Sequence, residues 1–363
     1  MSADLPVVLP IVLGYSRFSS TTKLCLDTLL PQAAALGTPV LAIDNGSPDD
    51  SAAQLERYKN DLPGPLHNHL HVRIHKDNLG YGGGMNEAVK FGLISNHFDT
   101  NGHMPEWLLL INSDTLFPAY SLRAWLTAIK MVPRNVSILA PLTNNAGNAQ
   151  KIVLNLQAPL TALHLNLSEC EHIEQEFKTW AEAAKQWIDT PTHRIWPIER
   201  ADFFCIAIRT SVWQQLGGLD PIYGRGYYED FDFSLRAVAA GYQCALTDDC
   251  LIYHQGSASF KASAEQKKLI RGNHRLFKKR FPNAITLHTR QSNLTLLQAQ
   301  LAWLATQPSQ TNDLSAVLMR IKARWQAAHL DRPRSWVKRW MWQRSLSKLQ
   351  KLYDLYLSKP NFI

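Results

Sequence analysis

Short unbroken apolar runs alternate along the chain with longer stretches whose apolar positions recur three and four apart. VVLPIVLG (7–14), PVLAID (39–44), WLLLINSD (107–114) and ADFFCIAIR (201–209) are of the first kind and predict strands buried on both faces. The stretches 21–36 and EAVKFGLI (87–94) are of the second kind and predict helices. VRIHKD (72–77) adds a strand, LGGLD (216–220) a turn, and CALTDDCLIYHQGSAS (244–259) a last strand and loop. Strand, helix and strand in repeated order predict an α/β fold with a mainly parallel sheet covered by helices.

In sheets of this kind ligands collect beyond the carboxyl ends of the strands. Polar sequence falls there three times: DNGSPDDS (44–51), NLGYGGGMN (78–86) and NSDT (112–115). One such end is a turn, whereas three in succession predict one continuous site. Residues 151–196 carry the Glu- and Lys-bearing run ECEHIEQEFKTWAEAAKQW, which reads as a surface helix in preference to an insertion over the site. Beyond residue 262 the chain turns helical and basic, so the expected division is 1–262 and 263–363.

Composition narrows the class. With 363 residues, 45% hydrophobic and 19% charged, the chain can bury a substantial core. No apolar run reaches the roughly 18 to 20 residues of a spanning helix, and the apolar start lacks a basic leader, so it reads as a first strand. Five scattered cysteines, none spaced CxxC, argue against a disulfide framework or a structural zinc site and fit a reducing cytoplasm. The net charge of +8 is local: residues 320–363 hold eleven Lys or Arg and two acids, against 27 basic and 28 acidic residues elsewhere.

Several residues are candidates for chemistry. Asp44 ends a buried strand, where a carboxylate either turns the chain or accepts a ring N–H from a nucleobase. NLGYGGGMN has four glycines in five positions, which lets backbone approach a ligand, and amides at a helix start suit phosphate. Its spacing is not that of a dinucleotide fingerprint, and no Gly-Lys-Ser/Thr follows. Asp114, after a very apolar strand, needs a partner; a helix cap is one, and a hard divalent cation shared with phosphate oxygens is another. His254 closes the final strand, as a structural residue or as a ligand.

The densest group is GRGYYEDFDFSLRAVAAGY (224–242). Glu229, Asp230 and Asp232 open a helix whose apolar face is expected at Phe231, Leu235, Val238 and Ala239, with Gly241 as its C-terminal cap. At a helix N-terminus the dipole favours an exposed ionised carboxylate by roughly 0.3–1 kcal/mol, which predicts a proton acceptor at neutral pH. Tyr227, Tyr228, Phe231 and Phe233 read as a platform for a sugar ring or as core, the core reading being favoured for the phenylalanines.

In this order, from about Val7 to Phe260, the helix segment CLDTLL followed by DNGSPDDS, NLGYGGGMN, LLLINSDT, LGGLDPIYGRGYYEDFDFSLRAVAAGY and YHQGSAS resembles family 2 glycosyltransferases. These are the nucleotide-sugar enzymes of the GT-A fold, and the likeness is to their rhamnosyltransferase-like branch of bacterial polysaccharide assembly. The resemblance implies that Asp44 contacts the donor base and that Asn78, Gly83 and Asn86 line the nucleotide. It further implies that Asp114 stands for the metal-binding acid of the family's DxD signature, here Asn112-Ser113-Asp114 with its first acid missing. His254 would complete the metal or phosphate site, with Mg²⁺ or Mn²⁺ as cofactor. Asp230 would be the base that activates the acceptor hydroxyl, and Glu229 a binder of acceptor hydroxyls. The activity implied is inverting hexosyl or deoxyhexosyl transfer from a nucleoside-diphosphate sugar to a glycan or lipid-linked acceptor.

The tail, SWVKRWMWQRSLSKLQKLYDLYLS (335–358), reads either as a helix packed on the catalytic domain or as an interfacial helix on anionic lipid, Trp at headgroup depth. The second reading makes residues 320–363 a contact with the inner face of the cell membrane. Nucleic acid is not an expected partner, since no zinc pattern or RNA module is present. A glycoside hydrolase needs carboxylates across the scissile bond and would leave the nucleotide-type loops idle. A non-catalytic nucleotide-sugar-binding or scaffold protein of the same fold is the alternative.

Overall fold

The computed structural model describes residues 5–95, 104–154, 169–256, 263–284, 289–306, 314–330, 333 and 335–357. Its strands are β1 (Val8–Gly14), β2 (Val40–Asn45), β3 (Leu70–His75), β4 (Trp107–Asn112), β5 (Thr115–Leu116), β6 (Val136–Leu142), β7 (Ile195–Ile198), β8 (Cys205–Arg209), β9 (Gln243–Leu251) and β10 (Tyr253–His254). Helices α1 (Thr22–Ala35), α2 (Ser51–Asp61), α3 (Gly64–His69), α4 (Gly80–Ile94), α5 (Ser121–Met131) and α6 (Glu169–Asp189) come first. They are followed by α7 (Thr210–Leu216), α8 (Glu229–Ala239), α9 (Ala264–Arg280), α10 (Thr289–Ala305), α11 (Leu314–Leu330) and α12 (Trp336–Leu357).

The main sheet runs β3-β2-β1-β4-β8-β6-β9-β7, and only β8 and β7 oppose the common direction. Alternation along its strands builds two cores. Leu9, Ile11, Leu41, Ile43, Leu108 and Leu110 face α4 and α8, while Val8, Val12, Val40, Trp107, Leu109 and Ile111 face α1 and α5. The unbroken apolar runs thus fill both sides of one sheet. Its carboxyl edge is aligned by register, Gly14 beside Asp44 and Leu13 beside Asn112.

Three elements depart from expectation. In α8 the buried positions are Glu229, Asp232, Phe233, Ser234 and Ala237, whereas Val238 and Ala239 face outward. Phe233 is the reason: it is held between Phe203 and Trp213. The helix ends as expected, Gly241 following at φ +88. The glycines of NLGYGGGMN form no open loop but the first turns of α4, where they meet protein. A Cβ on Gly80 would lie 2.3 Å from the Gly224 carbonyl oxygen, and one on Gly84 2.9 Å from the Asn45 side chain.

Helix α6 lies at the surface, yet one of its faces carries core. Its stripe of Trp180, Ala184 and Trp187 is buried in the larger core, and Trp180 and Phe177 pack edge-on against Tyr253 of β10. The tail also proves less solvated than its charge suggests. Arg320 and Arg324 are each 1% exposed. Arg320 donates to the carbonyls of Trp187 and Thr190 and to Asp249 Oδ1, and Arg324 to the Ala149 carbonyl and Asn293 Oδ1, which fastens α11 to the sheet. Asp249 accepts further N–H bonds from Thr192 and His193. The expected boundary at residue 262 lies outside the described residues.

Candidate active site

Strand β4 ends at Asn112, and a tight turn through Ser113 and Asp114 leads into β5. β10 pairs antiparallel with β5, His254 opposite Thr115, and this small sheet sets His254 Nε2 3.4 Å from Asp114 Oδ2. The Nδ1 atom of His254 lies 2.8 Å from the Asn145 carbonyl oxygen. A carbonyl only accepts, so Nδ1 carries the proton and Nε2 is the nitrogen turned to Asp114. Phe204 stacks on the ring at 4.9 Å, and Asn144 both accepts from the His254 backbone N–H and donates to its carbonyl. Burial acts to raise the Asp114 carboxyl pKa, but the His254 imidazole outweighs it and holds the group below its ordinary value. Burial acts to lower the His254 pKa, and Asp114 overcomes it and raises it.

Asp114 and His254 line a cavity of about 660 Å³ together with Glu229 and Asp230. The acids enter it from a strained turn: Gly226, Tyr227 and Tyr228 have φ of 138, 71 and 79, and α8 starts directly after them. Glu229 is 7% exposed and its Oε2 has no hydrogen-bond partner. Burial, reinforced by the neighbouring Asp230 charge, raises the Glu229 pKa. Burial also raises that of Asp230, with Asp202 adding to the effect and Arg200 opposing it. Desolvation thus outweighs the helix-end term of roughly 0.3–1 kcal/mol and raises the carboxyl pKa values toward neutrality. Asp232 is different again: fully buried, it accepts from Tyr223 and Arg236 and ion-pairs with Arg280 of α9, a structural role.

The other expected site residues lie outside this cavity. Asp44 is 3% exposed at the end of β2 and accepts from the Ser47 N–H at 2.9 Å and from its hydroxyl at 2.5 Å. Asn78 accepts from the Gly80 N–H, and Gly83 sits inside α4, 3.2 Å from Leu79 if given a Cβ. Asn86 exchanges two hydrogen bonds with the backbone of Leu219. Asp44 remains on the same sheet edge as Asn112, two strands away. Arg200 and Asp202 were not among the expected site residues. Asp202 lines the cavity and pairs with Arg200, whose guanidinium lies 3.5 Å over the Phe231 ring. Their only signal was a charge pair just ahead of a buried strand.

The residues suit a divalent cation held jointly with a ligand. Asn112 Oδ1 is buried without a partner beside Asp114, and the tautomer of His254 leaves Nε2 toward the same place. Among the described residues no cluster of three or more His, Cys, Asp or Glu forms a cage. Asp114, His254 and Asn112 would leave about half of the coordination shell to phosphate oxygens and water, the usual manner for a hard ion on a nucleotide.

A mostly parallel central sheet flanked by helices gives the chain a GT-A-like fold. Residues 11–153 match the family model described as glycosyl transferase family 2, so the resemblance carried by the motifs stands for that segment. No curated protein matches the chain significantly. Among solved structures, GalNAc-T7 with UDP, GalNAc and Mn²⁺ aligns at TM-score 0.50 and 11% identity, over 99% of this chain and 59% of that one. The Pyrobaculum calidifontis mannosyltransferase PcManGT, in complex with GDP-Man and Mn²⁺, aligns at 0.49 and 15%, over 98% and 82%. S. aureus TarS aligns at 0.43 and 16%, over 98% and 54%.

Proposed function

We propose that this chain is an inverting glycosyltransferase that moves a hexosyl or deoxyhexosyl group from a nucleoside-diphosphate sugar to a hydroxyl of a glycan or lipid-linked acceptor, in cell-surface polysaccharide biosynthesis. The observation that carries the reading is the convergence of Asp114, His254, Glu229 and Asp230 on one cavity from three separate stretches of sequence.

In this reading Asp230 accepts the proton of the acceptor hydroxyl as its oxygen bonds to the anomeric carbon, and the bond from that carbon to the diphosphate breaks, its electron pair leaving on the phosphate oxygen. General base help contributes roughly 10²–10⁴ in rate. Glu229, with its unpartnered Oε2, orients the incoming hydroxyl. Asp114 and His254 are the residues that would hold Mg²⁺ or Mn²⁺, an ion that would supply neutralisation of the charge developing on the leaving diphosphate. We assign the nucleoside side to Asp44 at the end of β2, Asn78 in the turn after β3, and Gly83 and Asn86 in the first turns of α4. The test is transfer from UDP-, dTDP- and GDP-sugars by the wild type and by Asp230→Asn: transfer should nearly vanish in the variant while nucleotide binding persists. Full transfer by the variant would refute the base.

We assign the first half of α12 to the inner face of the cell membrane. Trp342, Leu346 and Leu349 are buried, but Trp336 is 80% exposed, Trp340 55% and Met341 58%, with Lys338 and Arg344 among them. Exposed tryptophan beside cations suits anionic headgroups. No helix among the described residues is long and apolar enough to cross a membrane. Flotation with phosphatidylglycerol vesicles should lose the protein when Trp336 and Trp340 become alanine.

A further inference from the structure

Helix α9 belongs to neither of the roles above, yet it is fixed against the candidate active site. Asn273, 4% exposed, donates its side-chain amide to the carbonyls of Tyr223, Gly226 and Tyr227, and Arg280 pairs with the buried Asp232. Ile270 reaches the cavity that holds Asp230. On the adjoining side α9 lines a second groove of about 1140 Å³, and Arg225 and Tyr227 belong to the walls of both. The two spaces are therefore neighbours across one loop.

The charge of the second groove is one-sided. Lys268, Arg271, Arg275 and Lys279 recur three and four apart, all are exposed, and all line it. None of the four makes an ion pair among the described residues, and the groove contains one carboxylate, Glu265, in the first turn of the helix. At 1.5 Å per residue the row extends over about 16 Å. A lone diphosphate would engage one or two of these cations, whereas a chain with anions at intervals would engage all four. The fixed fork of arginine and the three donors of lysine suit an anion with several acceptor oxygens, and phosphate offers more of them than carboxylate.

We propose that the α9 groove binds the acceptor, and that the acceptor is a linear glycan or polyol chain bearing repeated phosphates, which the cation row leads to Asp230. This rests on the glycosyltransferase reading for the word acceptor, but its test does not require sugar transfer. Binding of a short inorganic polyphosphate to the full chain, without nucleotide sugar, is measured by calorimetry beside polygalacturonate of matched length and phosphatidylglycerol vesicles. The variant carrying Lys268→Gln, Arg271→Gln, Arg275→Gln and Lys279→Gln should bind polyphosphate at least about tenfold more weakly, with a shallower salt dependence. Two half-variants, one with the first pair and one with the second, carry the test if the fourfold change prevents folding; each should lose affinity. A control with Lys90→Gln, Lys130→Gln and Lys185→Gln, exposed cations away from α9, should keep it. Equal loss in that control, polygalacturonate bound as tightly as polyphosphate, or vesicle binding alone depending on α9 would each overturn the proposal.

Discussion

The imidazole of His254 faces the carboxylate of Asp114 at 3.4 Å because a two-residue strand folds back on the turn that ends β4. In the proposed function the pair is a joint anchor for the metal, and the Asn145 carbonyl fixes which nitrogen faces Asp114. Thermal shift with UDP or GDP and Mn²⁺ should show a metal-dependent rise in Tm. Asp114→Asn should abolish the metal-dependent part, and His254→Ala should weaken apparent metal affinity at least about tenfold. A rise of wild-type size in Asp114→Asn would remove the residue from the metal site.

Transfer should fall on the acid side of neutrality. In the proposed mechanism Asp230 acts as carboxylate, and burial pushes its pKa up to about 7, with Asp202 contributing repulsion. kcat/KM against pH should therefore decline as pH drops through about 7. Asp202→Asn removes a like charge and releases Arg200 toward Asp230, and both effects favour the ionised form. The acid limb should move to lower pH in that variant, and an unmoved limb would mean that another group sets it.

Glu229 gives a stability prediction of unusual sign. Its folded pKa lies above the ordinary glutamate value, at about 8. Between the unfolded value near 4.5 and about 8, the unfolded chain is ionised while the folded one keeps its proton, so the wild type loses stability as pH rises through that window. Glu229→Gln removes this penalty. The variant should melt a few degrees higher than the wild type at pH 8 and no higher at pH 4, at the expense of transfer.

Removing a buried cation should undo the docking of the C-terminal helices. Arg324→Ala leaves Asn293 and the Ala149 carbonyl without their donor and Asp248 without its nearby charge. Loss of one partner from a buried charged network costs roughly 3–5 kcal/mol. Chemical denaturation should show a drop of that order, and limited proteolysis should cut between α9 and α12 sooner.

Gly80→Ala should damage fold and site together. The residue has φ +70, and its Cβ would press on Gly224 at the start of the strained turn. Backbone strain alone costs roughly 1–3 kcal/mol. A lower Tm accompanied by loss of transfer is expected, and unaltered behaviour would show that α4 and this turn adjust independently.

Period was what made the sheet legible: runs such as LLLIN have one apolar residue per position because each side of the sheet is covered. Asp114, Glu229, Asp230 and His254 stood out because each ends or begins an element with a polar residue in apolar surroundings. What pattern could not show is which partner meets a side chain. Val238 and Ala239 have helical spacing yet face outward, since Phe233 found Phe203 and Trp213. Arg320 and Arg324 look like tail charge until Asp249, Asn293 and backbone carbonyls enclose them. The stripe of Trp180, Ala184 and Trp187 is visible as spacing, but the glutamates and lysines around it hide how much core this surface helix carries.

The amide of Asn273 makes a truncation after residue 262 the wrong way to isolate a minimal enzyme. Three carbonyls of the segment 223–227 would be stripped of their donor and Asp232 of Arg280 in a single cut. The stretch that presents the two acids would then relax from its left-handed backbone. A shortened protein should keep its sheet yet lose the proposed transfer, and a library of C-terminal deletions should record a sharp loss at α9 rather than a gradual decline.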